Sequence, residues 1–256
     1  MAIWKGELIM AFQDKAFVVL GATGSTGTAL VQELKDRGAR VLACSKNQEK
    51  VDAMVAQVGV EGFTLDATQP EQVAQAFAHA KRTFGDVHGA VNLVGSILLK
   101  PAHLTRDEEW QHTLSLNLNT AFYAVREAVK AITEGGSIVL VSTAAARVGL
   151  ANHEAVAAAK GGVIGLTLSA AATYAARNIR VNCVAPGLVD TQMSARIVGN
   201  EAAAKASKSL HALGRFGKPE DVASMITFLL DPAHDWVTGQ VFGVDGGLGT
   251  LKPMLR

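Results

Sequence analysis

The chain has 256 residues, of which 49% are hydrophobic and 18% are charged, so it can bury a substantial core and is not expected to be disordered. Its formal net charge of +1 gives no electrostatic reason to expect nucleic acid as a partner. The two cysteines and the lack of Cys/His clusters argue against a disulfide framework or a metal site, and MAIWKGELIM does not resemble a signal peptide, so we expect a cytoplasmic protein.

Short apolar runs alternate with longer helical patterns along the chain. The predicted strands are 16–21, 39–45, 60–66, 87–95, 135–142, 178–187 and 240–247. The predicted helices are 28–38, 49–59, 70–85, about 107–133, a helix around Lys160 and about 219–230. This alternation predicts an α/β fold with one doubly wound parallel sheet (a Rossmann fold) of about seven strands, covered by helices on both faces. Ligands of such sheets bind beyond the carboxyl ends of the strands.

No linker or repeat divides the chain, so we expect an N-terminal arm over 1–12 and a single domain over 13–256. The alanine-rich, polar region 190–215 interrupts the alternation and is predicted to be a mobile substrate lid. Residues 161–176 carry no acidic or basic side chain, but 16 residues fall short of the ~20 needed to cross a bilayer. We therefore expect a buried helix there, which lies either at a subunit interface or against the sheet, and no membrane partner.

The first predicted strand runs into GATGSTG, residues 21–27. Gly21, Gly24 and Gly27 form a GxxGxxG pattern, in which glycine permits a tight turn and a close approach of the backbone to a ligand. Amides at the start of the following helix then face an anion, so this stretch predicts a dinucleotide-diphosphate site. The predicted contacts include the intervening polar side chains of Thr23, Ser25 and Thr26.

The end of the second predicted strand indicates which dinucleotide is bound. Sites selective for NAD usually have an acidic residue there, which accepts hydrogen bonds from the ribose hydroxyls. This chain has Ser45 and Lys46 instead. A hydroxyl and a cation suit a 2′-phosphate, so NADP is favoured over NAD, although Lys46 could also be an ordinary solvated loop lysine.

Several ordered motifs make the chain resemble the short-chain dehydrogenase/reductase family after about residue 12. They are GATGSTG, LDAT, NLVG, LNLNTAF, AAAKGGV, NIRVNCVAPGLVDT and TGQVFGVDGG. The resemblance implies that Asp66 and Ala67 border the adenine, and that Asn92 and Gly95 shape the ribose side of the cleft. It also implies that Lys160 holds the nicotinamide ribose. The expected contacts of the nicotinamide carboxamide are Pro186, Gly187, Val189 and Thr191. Asp66 could equally cap a turn before Pro70.

The same resemblance implies a catalytic set of serine, tyrosine, lysine and asparagine, and this chain departs from it. Asn117 and Lys160 are present, and Thr143 stands where the serine is expected. The tyrosine position, four residues before Lys160, holds Val156, which cannot donate a proton. The chain is thus expected to be an atypical member of the family without the usual tyrosine.

His153 is a candidate replacement donor. It lies seven residues before Lys160, so the two side chains can share a face if the helix starts early enough. Enoyl reductases of the same superfamily place their tyrosine at this spacing, and an imidazole can donate a proton near neutral pH. The alternative is that His153 and Glu154 cap the helix or face solvent. The expected catalytic set is therefore Asn117, Thr143, Lys160 and His153.

Two functions remain open. The first is an NADP-dependent oxidoreductase that transfers hydride between NADP(H) and a small carbonyl/alcohol pair or an activated alkene, with a non-standard proton donor. The second is a catalytically impaired NADP-binding sensor or scaffold. The resemblance implies a homotetramer or homodimer. Leu98, Leu99, Leu150, Met193 and Ile197 are candidates for an apolar substrate lining.

Overall fold

The computed structural model describes residues 12–252. Its seven strands are β1 (Ala16–Leu20), β2 (Arg40–Ser45), β3 (Glu61–Thr64), β4 (Gly89–Asn92), β5 (Gly136–Val141), β6 (Ile179–Pro186) and β7 (Val241–Val244). Its α-helices are α1 (Ser25–Asp36), α2 (Gln48–Val58), α3 (Pro70–Phe84), α4 (Asp107–Leu114), α5 (Thr120–Ala131), α6 (Glu154–Tyr174), α7 (Ala195–Val198), α8 (Glu201–Leu210) and α9 (Pro219–Leu230).

All seven strands form one parallel sheet in the order β3-β2-β1-β4-β5-β6-β7. Strand β1 lies between β2 and β4, and Leu20 at its end is in register with both Cys44 and Asn92. The chain fills the sheet first on one side of β1 and then on the other. A crevice therefore opens above β1 and β4, where the connections diverge. The predicted doubly wound sheet is confirmed.

The core follows from the period-two alternation of the strands. Val18 and Leu20 pack with α3, α5 and α6 on one face of the sheet, whereas Phe17 and Val19 pack with α1 and α9 on the other. Because both faces are covered, the central strands are apolar at nearly every position, as buried parallel strands must be.

The predicted helix over 107–133 is interrupted. Between α4 and α5, residues Ser115–Asn119 form a π-helical turn. The Asn117 side chain explains the local change, since its Nδ2 donates to the Thr113 carbonyl oxygen at 3.0 Å, the acceptor an α-helix would offer to the residue's own backbone N–H. Such π turns inside helices often occur at functional sites. The sequence pattern missed it because apolar periodicity does not report side-chain hydrogen bonds.

Two other expectations change in detail. Helix α1 begins at Ser25 rather than at 28, directly after Gly24. The region predicted as a lid contains two helices, α7 and α8. Residues 1–11, which make up most of the predicted arm, lie outside the described residues. Phe12, the last residue assigned to that arm, is buried and packs edge-on against Phe17, with ring centroids 5.2 Å apart.

Helix α6 and the 3-10 turn that follows it are long and apolar enough, by composition, to cross a membrane. In this fold the helix packs instead against the sheet and α5, with Val163, Ala170 and Ala171 buried in the core. Its apolar composition is therefore explained by the sheet face that it covers.

The fold predicts which leucine side chains contribute to the free energy of unfolding. Leu140 is fully buried near the carboxyl end of β5, so Leu140→Ala should lower the free energy of unfolding by about 2–5 kcal/mol, measured by urea denaturation. Leu104 is 56% exposed, and Leu104→Ala should change it by less than ~1 kcal/mol. Equal losses from the two substitutions would contradict the assignment of β5 to the interior of the sheet.

Candidate functional site

A cleft of about 360 Å³ opens beyond the carboxyl ends of β1, β4, β5 and β6. The residues lining it are Gly21, Gly24, Ser25, Thr26, Gly27, Leu93, Gly95, Ser96, Ile97, Asn117, Val141, Ser142, Thr143, Val156, Lys160, Pro186, Gly187, Leu188, Val189, Thr191, Gln192, Met193, Ser194 and Val222. Two larger cavities, of about 590 and 610 Å³, do not touch the glycine loop, although the second shares Gly187 and Leu188 with the cleft. The cleft thus gathers residues from the glycine loop, the Lys160 helix and the chain after β6.

The glycine loop has the shape that a diphosphate requires. Gly21 has φ of +81°, which favours glycine, and a Cβ there would lie 3.0 Å from the Leu93 carbonyl carbon. A Cβ at Gly27 would collide with the carbonyl oxygens of Gly21 and Ala22. Helix α1 has no side-chain cap and no acidic residue in its first turn. Its first backbone N–H groups therefore remain free to bind an anion in the cleft.

The residues expected at the adenosine end lie at the adjacent ends of β2 and β3. The hydroxyls of Thr23 and Ser45 are hydrogen-bonded at 2.6 Å. The Lys46 ammonium lies 2.7 Å from a carboxylate oxygen of Asp66, yet the Lys46 side chain is 80% exposed. An exposed pair of this kind contributes little to stability, so Lys46 can leave Asp66 for a phosphate at small cost.

Asp66 has the structural role that the sequence left open. Its Oδ1 accepts hydrogen bonds from the backbone N–H and the hydroxyl of Thr68, which fixes the turn before α3. The hydrogen bond from Lys46 is the largest cause that lowers the pKa of the Asp66 carboxyl, to about 2. The carboxylate is therefore charged at neutral pH and balances Lys46.

Two further residues expected at the cofactor are buried. Asn92 is buried, donates to the Thr120 hydroxyl and accepts from the Val94 backbone N–H. Ala67 is buried in the core next to Asp66. Neither lines the cleft, and the same is true of Thr23, Ser45, Lys46 and Asp66.

The loop after β6 places Pro186, Gly187, Val189 and Thr191 on the cleft, as the resemblance implies. His211, which sequence reasoning missed, holds this loop. Its Nε2 accepts from the Leu188 backbone N–H at 3.1 Å, and its Nδ1 faces the Ser207 carbonyl oxygen at 2.7 Å. The two partners define a neutral imidazole that carries its proton on Nδ1. His211 thus ties the end of α8 to the cleft loop, a link between distant positions that sequence spacing does not reveal.

The π turn brings Asn117 against the loop after β4. Its Oδ1 accepts from the Ser96 backbone N–H at 3.1 Å, and its Nδ2 donates to the Ser96 hydroxyl at 3.0 Å. A Cβ at Gly95 would lie 2.8 Å from Asn117 Oδ1 and 3.3 Å from Lys160 Nζ. Gly95 therefore lets the asparagine and the lysine converge. Ser96 is a polar cleft residue that the sequence analysis did not identify.

Lys160 is buried at the bottom of the cleft, one helical turn after Val156. Its Nζ donates to the Val141 carbonyl oxygen at 2.8 Å, and its own carbonyl oxygen accepts from the Ser142 hydroxyl at 2.9 Å. Burial lowers the pKa of the Lys160 ammonium from 10.5 to about 8. The charged form therefore still dominates at neutral pH, and the group releases its proton more readily than an exposed lysine does.

Of the remaining catalytic candidates, Thr143 lines the cleft and His153 does not. The Thr143 hydroxyl lines the cleft and accepts from the Ala145 backbone N–H at 3.3 Å, so its proton is left to donate. Val156 is buried and lines the same cleft. His153 does not line it, because α6 begins only at Glu154 and the early helical start that its role requires does not occur. Its Nδ1 instead lies 2.7 Å from the Ala151 carbonyl oxygen.

The apolar lining differs from the sequence expectation. Of the five candidates, Met193 lines the cleft, whereas Leu98, Leu99, Leu150 and Ile197 do not. The apolar side chains found there instead are Leu93, Ile97, Val141, Val156, Leu188, Val189 and Val222. These positions depend on how the loops fold over the sheet, which sequence periodicity does not encode.

Comparison with known proteins agrees with this geometry. The profile of the family described as enoyl-(acyl carrier protein) reductase matches residues 21–249. A 3-oxoacyl-(acyl-carrier-protein) reductase of Thermotoga maritima is 34% identical over 248 residues, covering 93% of this chain and 99% of the relative. A Xanthobacter autotrophicus protein named inactive 2-(S)-hydroxypropyl-CoM dehydrogenase 2 is 35% identical over 224 residues, covering 84% of this chain and 96% of the relative.

Solved structures show the same likeness. A short-chain type dehydrogenase/reductase from Mycobacterium ulcerans superposes with a TM-score of 0.91 at 30% identity, covering 94% of this chain and 92% of that one. A variant of an actinorhodin polyketide ketoreductase, solved with NADPH, superposes with a TM-score of 0.88 at 27% identity. It covers 93% of this chain and 98% of the ketoreductase.

The burial of Lys160 predicts that replacing it raises the thermal stability of the protein by an amount that depends on pH. The folded pKa of about 8 is below the ordinary 10.5, so burying the ammonium destabilises the fold. This destabilisation is complete below pH 8 and fades as the pH rises toward 10.5. Lys160→Met should therefore raise the Tm by about 2–4 °C at pH 6.5, the shift that ~1 kcal/mol produces, and by less at pH 9.5. Differential scanning calorimetry measures both values. The exposed Lys81→Met is the control, and an equal gain at both pH values would refute the burial of a charged Lys160.

Proposed function

The chain belongs to the short-chain dehydrogenase/reductase family of nicotinamide-dependent oxidoreductases, and from this we propose that it transfers hydride between NADP(H) and a small carbonyl/alcohol pair or an activated alkene. One observation carries the proposal: free amides at the start of α1 and the buried Lys160 ammonium face a single cleft. The first group suits a diphosphate, and the second suits the ribose next to the reactive ring.

Each part of the cleft has a distinct task in this proposal. The glycine loop holds the diphosphate, and Lys160 holds the ribose. The chain after β6, kept in place by His211, packs beside the nicotinamide, which supplies the hydride when it is bound. The Thr143 hydroxyl donates a hydrogen bond to the substrate oxygen and stabilises the charge that develops there. Met193, Ile97 and Leu93 exclude water from the reacting atoms.

The preference for NADP is part of the proposal. Ser45 and Lys46 stand at the end of β2, and no carboxylate occupies that position to accept hydrogen bonds from the two ribose hydroxyls of NAD. The solved ketoreductase with NADPH is consistent with this preference. A 2′-phosphate would draw the Lys46 ammonium away from Asp66, exchanging one exposed ion pair for another.

A second function, an NADP-binding sensor or scaffold with impaired catalysis, is favoured by two observations. Val156 places an apolar side chain where the family's proton donor is expected, and His153 does not reach the cleft. The relative named as an inactive dehydrogenase is consistent with this alternative. The oxidoreductase is favoured by Thr143 and Asn117, which both line the cleft, because a protein that only binds the cofactor does not need these polar side chains there.

The proposal extends to assembly and location. We propose a homodimer or homotetramer, supported by exposed apolar side chains on the helices that follow β4 and β5, Phe122 at 49% and Leu168 at 52%. A cytoplasmic location is supported by Cys44 and Cys183, which are both free and buried.

The cofactor preference can be tested at Lys46. Lys46→Ala should weaken NADPH binding about 10- to 100-fold, because one charged hydrogen bond to the 2′-phosphate is lost and Asp66 is left uncompensated beside it. The dissociation constant of NADH should change less than about threefold. Isothermal titration calorimetry measures both, with the exposed Lys81→Ala as control. Equal losses for NADPH and NADH would show that Lys46 does not bind the phosphate.

The catalytic proposal can be tested by restoring the phenol. The wild type should oxidise NADPH with at least one substrate from a panel of ketones, quinones and enoyl thioesters. Val156→Tyr should raise kcat/KM for a ketone, because it adds a positioned phenol to the cleft as a proton donor. The measurement is the loss of NADPH absorbance.

Val156→Phe is the matched control, because it adds the ring without the hydroxyl and should give no gain. Tight NADPH binding without turnover of any substrate would favour the sensor or scaffold. No detectable binding of NADPH or NADH would contradict both functions.

A further inference from the structure

The cleft contains very few groups that can supply a proton. Reduction of a carbonyl by hydride leaves an alkoxide, which must be protonated. Among the residues that line the cleft, Lys160 is the only one whose side chain titrates near neutral pH; the others are glycine, apolar, hydroxyl or amide residues. The nearest imidazole along the chain, His153, lies outside.

The Lys160 ammonium lies where it can donate hydrogen bonds into the cleft. Its Nζ is anchored by one hydrogen bond, to the Val141 carbonyl oxygen, which leaves further N–H groups to donate. Gly95 has no Cβ to cover it, since a Cβ there would lie 3.3 Å from Nζ. Val156 lines the same cleft one turn earlier and, unlike a tyrosine, does not place a ring between the ammonium and a substrate.

We infer that Lys160 itself is the proton donor of this enzyme, in addition to its contact with the cofactor. This inference rests on the proposed function. As hydride adds to the carbonyl carbon, the C=O π pair moves to oxygen, and that oxygen takes a proton from Lys160 Nζ, directly or through one bridging water. NADPH becomes NADP⁺, the carbonyl becomes an alcohol, and the ammonium becomes a neutral amine that solvent reprotonates.

The surroundings of Lys160 suit this role. Burial lowers its pKa to about 8, so it is mostly charged at pH 7 and acidic enough to give up its proton. Cys183 on β6 is the titratable group whose charge would act on it, and burial raises the pKa of that thiol to about 11. The thiol is therefore neutral across the range in which Lys160 titrates. On the other sides, α6, β5 and the π turn present Val156, Val141 and Asn117, which carry no charge.

The inference can be tested first on the unmodified sequence. Protein labelled with ¹³Cε-lysine, in complex with NADPH, should show one lysine that titrates well below the others, assigned by its absence in Lys160→Arg. The kcat/KM for reduction should fall about tenfold per pH unit above the same pKa, because only the ammonium can donate. In Val156→Tyr this fall should no longer follow the Lys160 titration.

Lys160→Arg is the second test, since a guanidinium keeps the charge and the hydrogen-bond donors but does not release a proton in this pH range. It should bind NADPH within about tenfold of the wild type, measured by fluorescence, and lose at least about 100-fold in kcat. The double variant Lys160→Arg with Val156→Tyr should regain activity, because the phenol supplies the proton.

The outcomes separate this inference from the function on which it rests. Turnover that is unaffected by pH through the Lys160 titration, or that survives in Lys160→Arg, would overturn Lys160 as the donor while leaving the oxidoreductase intact. A wild type that binds NADPH but turns over no substrate would overturn both the oxidoreductase and the inference.

Discussion

A buried ammonium at the end of the fifth strand is the interaction on which the rest of the site depends. Removing Lys160 from water carries a large desolvation cost, which the single hydrogen bond to the Val141 carbonyl oxygen offsets only in part, as the lowered pKa shows. Because the buried Lys160 ammonium lowers stability, we explain its presence by its proposed role in the cleft. The structure supports it from three sides: the Ser142 hydroxyl fixes the helix backbone, Gly95 leaves room for the ammonium, and the π turn holds Asn117 nearby.

The sheet topology places this ammonium beside the glycine loop. Because the connections diverge at β1 and β4, the ends of these strands leave a crevice that the Lys160 helix and the chain after β6 close from the other side. The glycine loop and Val156 both line this crevice. His211 adds a tie between α8 and the cleft loop. The glycine loop and Val156 therefore lie on different segments of the chain, and one can change without the other.

Much of the fold could be predicted from the sequence alone, for a local reason. Strand and helix periodicities depend on residues close in the chain, so the seven strands and most of the helices were identified with end errors of a few residues. The π turn at Ser115–Asn119 was missed because it depends on the Asn117 side chain, which competes with the backbone for the Thr113 carbonyl oxygen. The helices within the lid region were missed because α7 spans only 4 residues and most of the apolar positions of α8 are alanine, so neither shows a stripe of large apolar side chains.

For the site, the sequence determined the glycine loop, the position of Lys160 and the valine one turn before it, since each is read from spacing along one segment. Only the tertiary structure decided which side chains meet. It left His153 outside the cleft because α6 starts at Glu154, brought Ser96 to Asn117 across 21 positions, and set Lys46 against Asp66 across 20. Contacts between distant segments depend on how the loops cross the sheet edge, and loop paths follow from packing rather than from periodicity.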